Sequence, residues 1–181
     1  MASCKQVGLG AAVRLHSDRF PAVVVMPQCS KNVWWTDPEM EAQAMAALTK
    51  ATKEFHGDPQ RTYLTGISMG GYGIFAFAAK FAGRFAAVVP ICGGVARPRT
   101  KAEVEPHSEV AGKIGKTPIW IFHGAADPTI PATESRKMEA AIRTAGGTPR
   151  YTEYPGVGHN SWVKAYAEVE LPKWLFDLRL Q

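Results

Sequence analysis

A serine flanked by glycines, Gly66-Ile67-Ser68-Met69-Gly70, lies between a strand-forming run, Thr62-Tyr63-Leu64-Thr65, and an alanine-rich helical run from Gly73 to Lys80. A hydroxyl is a weak nucleophile until a base takes its proton. The tip of a sharp strand-to-helix turn exposes Oγ to such a base, and the following helix aims its positive N-terminal end at the site. Gly66 and Gly70 are expected because a side chain at either would collide with the neighbouring strand or helix. Further along, the apolar run Ile119-Trp120-Ile121-Phe122 ends in His123-Gly124-Ala125-Ala126-Asp127-Pro128, which puts a carboxylate just beyond a strand's C-terminal end. Arg150 to Tyr154 reads as a last strand, and Pro155-Gly156-Val157-Gly158-His159-Asn160 places a histidine in the loop after it. Serine, acid and histidine in that chain order suit acyl transfer, with Ser68 as nucleophile, Asp127 as acid and His159 as base.

Competing assignments fit less well. Asp127 could cap a helix beginning near Pro131. Asp58 precedes the serine, and Glu153 lies inside the strand leading to His159. His16 and His56 sit on or at the end of helices, and His107 in an irregular Pro-containing stretch. His123 is the strongest rival for the base, yet it closes the strand that bears the acid and comes before Asp127, so it reads as a residue shaping the site.

The elements that position these groups alternate between strand and helix, the pattern of a parallel sheet covered on both faces, a three-layer α/β/α sandwich. Expected are a helix from about Gln6 to Arg19, a strand Ala22–Met26, a helix from Pro38 to Phe55 capped by Asp37, the elbow strand and helix, and a buried strand Ala86–Ile91. An irregular polar stretch from about Val95 to Lys116 follows. Beyond the strand 119–122 come a helix Pro131–Ala145, the strand 150–154 and a final amphipathic helix Leu171–Leu180. No linker, internal repeat or low-complexity tract interrupts residues 1–181, which read as one domain. Because ligands of open α/β sheets bind beyond the carboxyl edge, Gln28, Asn32, Trp34, Trp35, Gly94 and Trp162 are pocket candidates. Tyr72 is expected to pack rather than bind.

Gly66-Ile-Ser-Met-Gly-Gly-Tyr-Gly73, the His123–Pro131 loop and Gly158-His159 with Trp162 together resemble the α/β-hydrolase superfamily. The likeness is to small bacterial esterases related to polyhydroxybutyrate depolymerases, feruloyl esterases and prolyl-peptidase-like hydrolases, and it spans essentially the whole chain. It implies that Ser68 attacks an ester carbonyl, His159 moves the proton, Asp127 orients the imidazole, and the N–H of Met69 donates to the oxyanion. Such esterases also carry a His-Gly-x-Gly loop after a strand lying between those here at Ala22–Met26 and Tyr63–Thr65. That segment is not found in this sequence, so the fold is expected to be a truncated α/β-hydrolase with a gap in its sheet. The lost second oxyanion donor is worth on the order of 10²–10³ in turnover. Either the two flanking strands pair directly, or a second copy covers the exposed edge; association is favoured, since closing the gap moves the Pro38–Phe55 helix by a strand spacing of about 4.8 Å.

Composition narrows the partners. Of 181 residues, 46% are hydrophobic and 20% charged, enough apolar mass for one core. The net charge of +5 is scattered among acids with no basic block, which argues against nucleic acid. No run is long enough to span a membrane and no signal-peptide pattern opens the chain, so a cytoplasmic location is the default expectation. Cys4, Cys29 and Cys92 show no C-x-x-C spacing, so free thiols are expected and no metal or organic cofactor is required. The sum is a serine carboxylesterase acting on a small-molecule ester, expected to be short-acyl because no large lid is evident. A peptidase-like hydrolase, or a non-catalytic binding protein on the same fold, is the alternative.

Overall fold

A computed structural model describes residues 7–96 and 106–180, so Cys4, Gln6 and Pro98 lie outside the described residues. The helices are α1 (Leu9–Leu15), α2 (Pro38–Glu54), α3 (Met69–Lys80), α4 (His107–Ile114), α5 (Thr133–Thr144), α6 (Trp162–Ala167) and α7 (Glu170–Asp177). Four strands, β1 (Tyr63–Ile67), β2 (Ala87–Ile91), β3 (Trp120–Gly124) and β4 (Arg150–Tyr154), pair in the order β1-β2-β3-β4, all parallel.

Alternation along the strands sorts side chains into two cores, as a period of two requires. Val88, Ile119 and Ile121 face α3, α4 and α5, where they meet Ile74, Phe75, Ile114, Met138 and Ile142. Ala87, Val89, Ile91, Trp120 and Phe122 face the other way and pack on Ala165, Tyr166, Leu171 and Leu175 of α6 and α7, with Leu9 and Ala12 of α1 against the same core. Helices thus cover both faces, the expected sandwich. All of β2 and β3 is buried, which matches their unbroken apolar character.

The β2–β3 ladder is thin, and a proline explains it. Val88 N donates to Pro118 O (2.9 Å) and Cys92 N to Phe122 O (2.8 Å), so alternate residues of β2 send their N–H toward β3. Position 90 falls on that parity, and Pro90 has no N–H to give.

Four expectations are corrected. Ala22–Met26 forms no strand: a ladder partner defines a strand, and this run has none among the described residues. It borders instead a cavity of about 760 Å³ whose opposite wall is β1, with Met45 and Leu48 of α2 also lining it. The gap therefore stays open, and β1 is not paired with 22–26. Residues 107–114, expected to be irregular, form α4. The first helix is seven residues long, followed by a short 3₁₀ turn at Ser17–Arg19. Asp37 does not cap α2 through its side chain; its Oδ2 accepts the N–H of Trp34 at 2.7 Å.

Candidate active site

β1 runs straight into the turn at Ser68, which holds φ 53° and ψ −117° before α3 begins. A positive φ on a non-glycine residue is strained and persists only where its surroundings enforce it. Here Ser68 N donates to Ile91 O (3.0 Å) and Tyr72 N donates to Ser68 O (3.2 Å). Gly66 is sterically required, since a Cβ there would lie 2.7 Å from Gly70 O. Gly70 is not, because a Cβ there would meet nothing within 4 Å; the close approach falls one residue later, where a Cβ on Gly71 would lie 2.8 Å from Gly93 Cα and Ile91 O. A Gly-Gly pair at 93–94 facing the elbow was the sequence signal for it.

The acid and base loops hold each other. Ala125 N donates to Tyr154 O (3.0 Å) and Ala126 N to Val157 O (2.9 Å), which ties the end of β3 to the loop after β4. Asp127 Oδ1 accepts from the N–H of Thr129 (2.8 Å) and of Ile130 (3.0 Å). Its Oδ2 lies 2.7 Å from His159 Nδ1, and His159 Nε2 lies 2.8 Å from Ser68 Oγ. Because a carboxylate only accepts, Nδ1 carries the hydrogen, and Nε2 is left to accept from the serine hydroxyl. Burial pushes the Asp127 carboxyl up, but the N–H of Ile130, the His159 ring and the N–H of Thr129 outweigh it and hold it below its ordinary value. The structure thus brings Ser68, Asp127 and His159 together and leaves Glu153, Asp58 and His107 apart from them, while His123 borders Asp127 Oδ2 at 3.3 Å without being the ring that reaches Ser68 Oγ. Glu153 pairs with Arg136 (2.5 Å), and Asp58 accepts from Gln60 N (2.9 Å). His107 heads α4 and lies 3.3 Å from Glu134.

The remaining expected residues divide. Met69 is the first residue of α3, directly after Ser68. Trp162 opens α6 and sets its ring edge-on to His159, centroids 5.6 Å apart. Gln28 and Trp35 line the 760 Å³ cavity together with Ser68, and Trp35 also packs where a Cβ on Gly73 would come within 2.8 Å of its own. Trp34 stands edge-on to Tyr72 at 5.6 Å instead. Tyr72 is buried and its hydroxyl is pushed up to about 12, chiefly by that burial. Asn32 occupies a positive φ of 64°, and Gly94 abuts the Tyr72 ring.

Cys92 was not singled out for the site and belongs beside it. It directly follows β2 with φ 41°, and its Sγ, a carboxylate oxygen of Asp127 and a ring nitrogen of His159 lie within 4.8 Å of one another. Burial pushes its thiol up to about 11, so it stands there as a neutral S–H. A metal at these three groups would have to displace both that proton and the Asp127–His159 bond, so the donor set fits hydrogen bonding better than ligation.

Comparison with known proteins agrees with this architecture. A solved thermostable esterase superposes with a TM-score of 0.73 at 33% identity, covering 84% of this chain and 43% of that one. Acyl-protein thioesterase 1 of Gibberella zeae is 23% identical over 112 residues, 62% of this chain and 46% of that protein. An isoprenylcysteine alpha-carbonyl methylesterase of Arabidopsis thaliana is 29% identical over 130 residues, 64% of this chain and 30% of that protein. The chain spans less than half the length of these relatives. Residues 16–169 match the dienelactone hydrolase family, an alignment that contains the elbow, the acid loop and His159 in one continuous stretch, and the chain belongs to that family.

Proposed function

We propose that this chain is a serine esterase whose nucleophile, base and acid are Ser68, His159 and Asp127. The observation that carries the reading is the unbroken hydrogen-bond line from Asp127 through the ring of His159 to Ser68 Oγ, at 2.7 and 2.8 Å. In the reaction Ser68 Oγ attacks the ester carbonyl as its proton passes to His159 Nε2. The resulting imidazolium faces the ionised Asp127, and Nε2 returns the proton to the departing alcohol oxygen. Water then enters by the same route and attacks the acyl-enzyme as it gives a proton to Nε2; as the acyl–Oγ bond breaks and the acid leaves, Nε2 returns that proton to Ser68 Oγ. The N–H of Met69, in the first turn of α3, supports the developing oxyanion.

Ester substrates are favoured by the relatives, two of which bear the names of a thioesterase and a methylesterase. Trp162 is proposed to wall the leaving-group side, since its ring borders His159, and Gln28 with Trp35 the side toward the cavity; Trp34 contributes through Tyr72. A short acyl group is proposed because the cavity rim carries exposed Val23 and Met26, which would leave a long chain partly in water. A panel of p-nitrophenyl esters of increasing acyl length tests both parts. Activity should be greatest on the shorter acyl chains and vanish in Ser68→Ala, with the circular dichroism spectrum unchanged. Wild-type turnover in that variant would place the activity elsewhere.

A further inference from the structure

The loop bearing the acid is organised by a second histidine that the proposed reaction does not use. His123 lies in β3 and is fully buried. Its Nε2 is 3.0 Å from Ile130 O and 3.3 Å from Asp127 Oδ2, while its Nδ1 is 2.7 Å from Ser135 Oγ in α5. Two oxygens that only accept face Nε2, so that nitrogen carries the hydrogen. Nδ1 is then the acceptor, and the Ser135 hydroxyl donates to it. The other tautomer would set a lone pair against a carbonyl and a carboxylate at once. Burial holds the ring below its ordinary value and hence neutral, against the opposing pull of Ile130 O and Asp127; His159 and Glu153 are the other titratable groups that act on it.

The bonds that Asp127 Oδ1 accepts from Thr129 and Ile130 close a turn within its own loop. They stiffen the loop but do not fix it to the sheet. At the loop's start, Ala125 and Ala126 tie it to the β4 side. At its far end, the bond from His123 to Ile130 O ties it back to β3, and Ser135 extends that tie into α5. We propose that His123 is a positioning residue for the ester chemistry: by engaging the Ile130 carbonyl and bordering Asp127 Oδ2, its N–H holds the acid where Oδ2 meets Nδ1 of His159. The inference rests on the reading of Ser68, Asp127 and His159 as a working triad. A displacement of about 1 Å at such a group costs on the order of 10² in rate.

Kinetics of the purified chain on a p-nitrophenyl ester test this with His123→Phe, His123→Gln, Ser135→Ala and Asp127→Asn. His123→Phe should lower kcat about 100-fold with KM within about twofold. His123→Gln, which can still present an N–H to Ile130 O, should recover at least tenfold of that. In the Asp127→Asn background His123→Phe should cause no further loss, because its effect runs through the carboxylate. If His123→Phe does not fold, Ser135→Ala decides: removing the donor that selects the tautomer should lower kcat severalfold. Undiminished kcat in folded His123→Phe, or in Ser135→Ala where His123→Phe does not fold, overturns the inference, as does a loss confined to KM or one equally large without the carboxylate. Ser68→Ala separates the two levels. If it keeps its turnover, the triad reading falls and this inference with it; if it is dead while His123→Phe is fully active, only this inference falls.

Discussion

At the carboxyl end of β1, Ser68 is held three ways: its N–H by Ile91, its carbonyl by Tyr72, and its hydroxyl by His159. Along the free edge of the same strand, across the cavity, the apolar run Ala22–Met26 has no ladder partner among the described residues. One region is over-determined and the other is left open. The reason is that the first is built from turns whose bonds close within a few residues of each strand end, on a scaffold of four paired strands. The second would need a neighbour at strand spacing, and no local sequence supplies one. Positioning of the chemical groups therefore depends on β1–β4 and their turns, and the cavity side can be perturbed with little effect on it.

The sharpest way to break this contrast is at the acid. Asp127→Asn keeps the size and the turn bonds of Oδ1 but offers an N–H or a poorer acceptor to Nδ1 of His159, which favours the wrong tautomer. A loss of up to about 10⁴ in kcat is expected, with the melting temperature shifted little, by analogy with serine proteases of the same logic. Steady-state kinetics with a thermal melt checks it. Full activity there, with a dead Glu153→Gln, would transfer the acid role.

Next in size is a paired substitution at the elbow. Gly71→Ala forces a Cβ to within 2.8 Å of the main chain at Ile91 and Gly93, where nothing flexible can give way. It should cost roughly 1–3 kcal/mol of stability and loosen the serine turn. Gly70→Ala adds a methyl in open space inside a helix and should stabilise by up to about 1 kcal/mol. Denaturant melts of the two variants should move in opposite directions; equal destabilisation would mean that the elbow is constrained in some other way.

The same two regions show where sequence reasoning works. β1, β2, β3 and β4 match the strands expected from apolar runs bounded by glycine and proline to within about two residues. Ser68, Asp127 and His159 stood out because a strand–turn–helix context and chain order constrain them more tightly than composition does. Ala22–Met26 has the same strand propensity as β2, yet propensity describes a fit to a pleated surface and not the presence of a partner. α4 escaped because Pro106 and a polar face mask its turn onto Ala111 and Ile114. Cys92 and the Ser135–His123 link escaped for a common reason: each acts through a contact between elements distant in the chain, which no local pattern records.

Acid should act first on the well-bonded half. His123 is held below its ordinary value of 6.5, so the unfolded chain takes up its proton before the folded one does. Stability then falls as pH drops through and below about 6.5. Asp127 is depressed from 3.8, so its contribution is present above that value and is lost only as pH falls further, through its folded pKa. A plot of melting temperature against pH should slope downward from pH 7 to 5, and His123→Gln should flatten that slope. An unchanged slope would assign the acid sensitivity to other groups.

The smallest effect on the fold is expected on the open side, and there the reading is of association. Ser68 N bonds to Ile91 O and Ala86 N to Thr62 O, so the even positions of β1 face β2. The main-chain N–H and C=O of Tyr63, Thr65 and Ile67 therefore point to the cavity, an edge without a strand partner among the described residues, of the kind that invites a second chain. Exposed Val23, Met26 and Phe55 sit on the lining of the same cavity and would be covered in such a contact. Self-association at micromolar concentration is the expected result of sedimentation equilibrium. Val23→Lys, more than half exposed at 56%, should change stability by no more than about 0.5 kcal/mol while returning the chain to a monomer. A wild-type chain that sediments as a monomer at every concentration would leave this edge to water alone. A dimer indifferent to Val23→Lys would put the interface on another face and remove the link between the open strand and assembly.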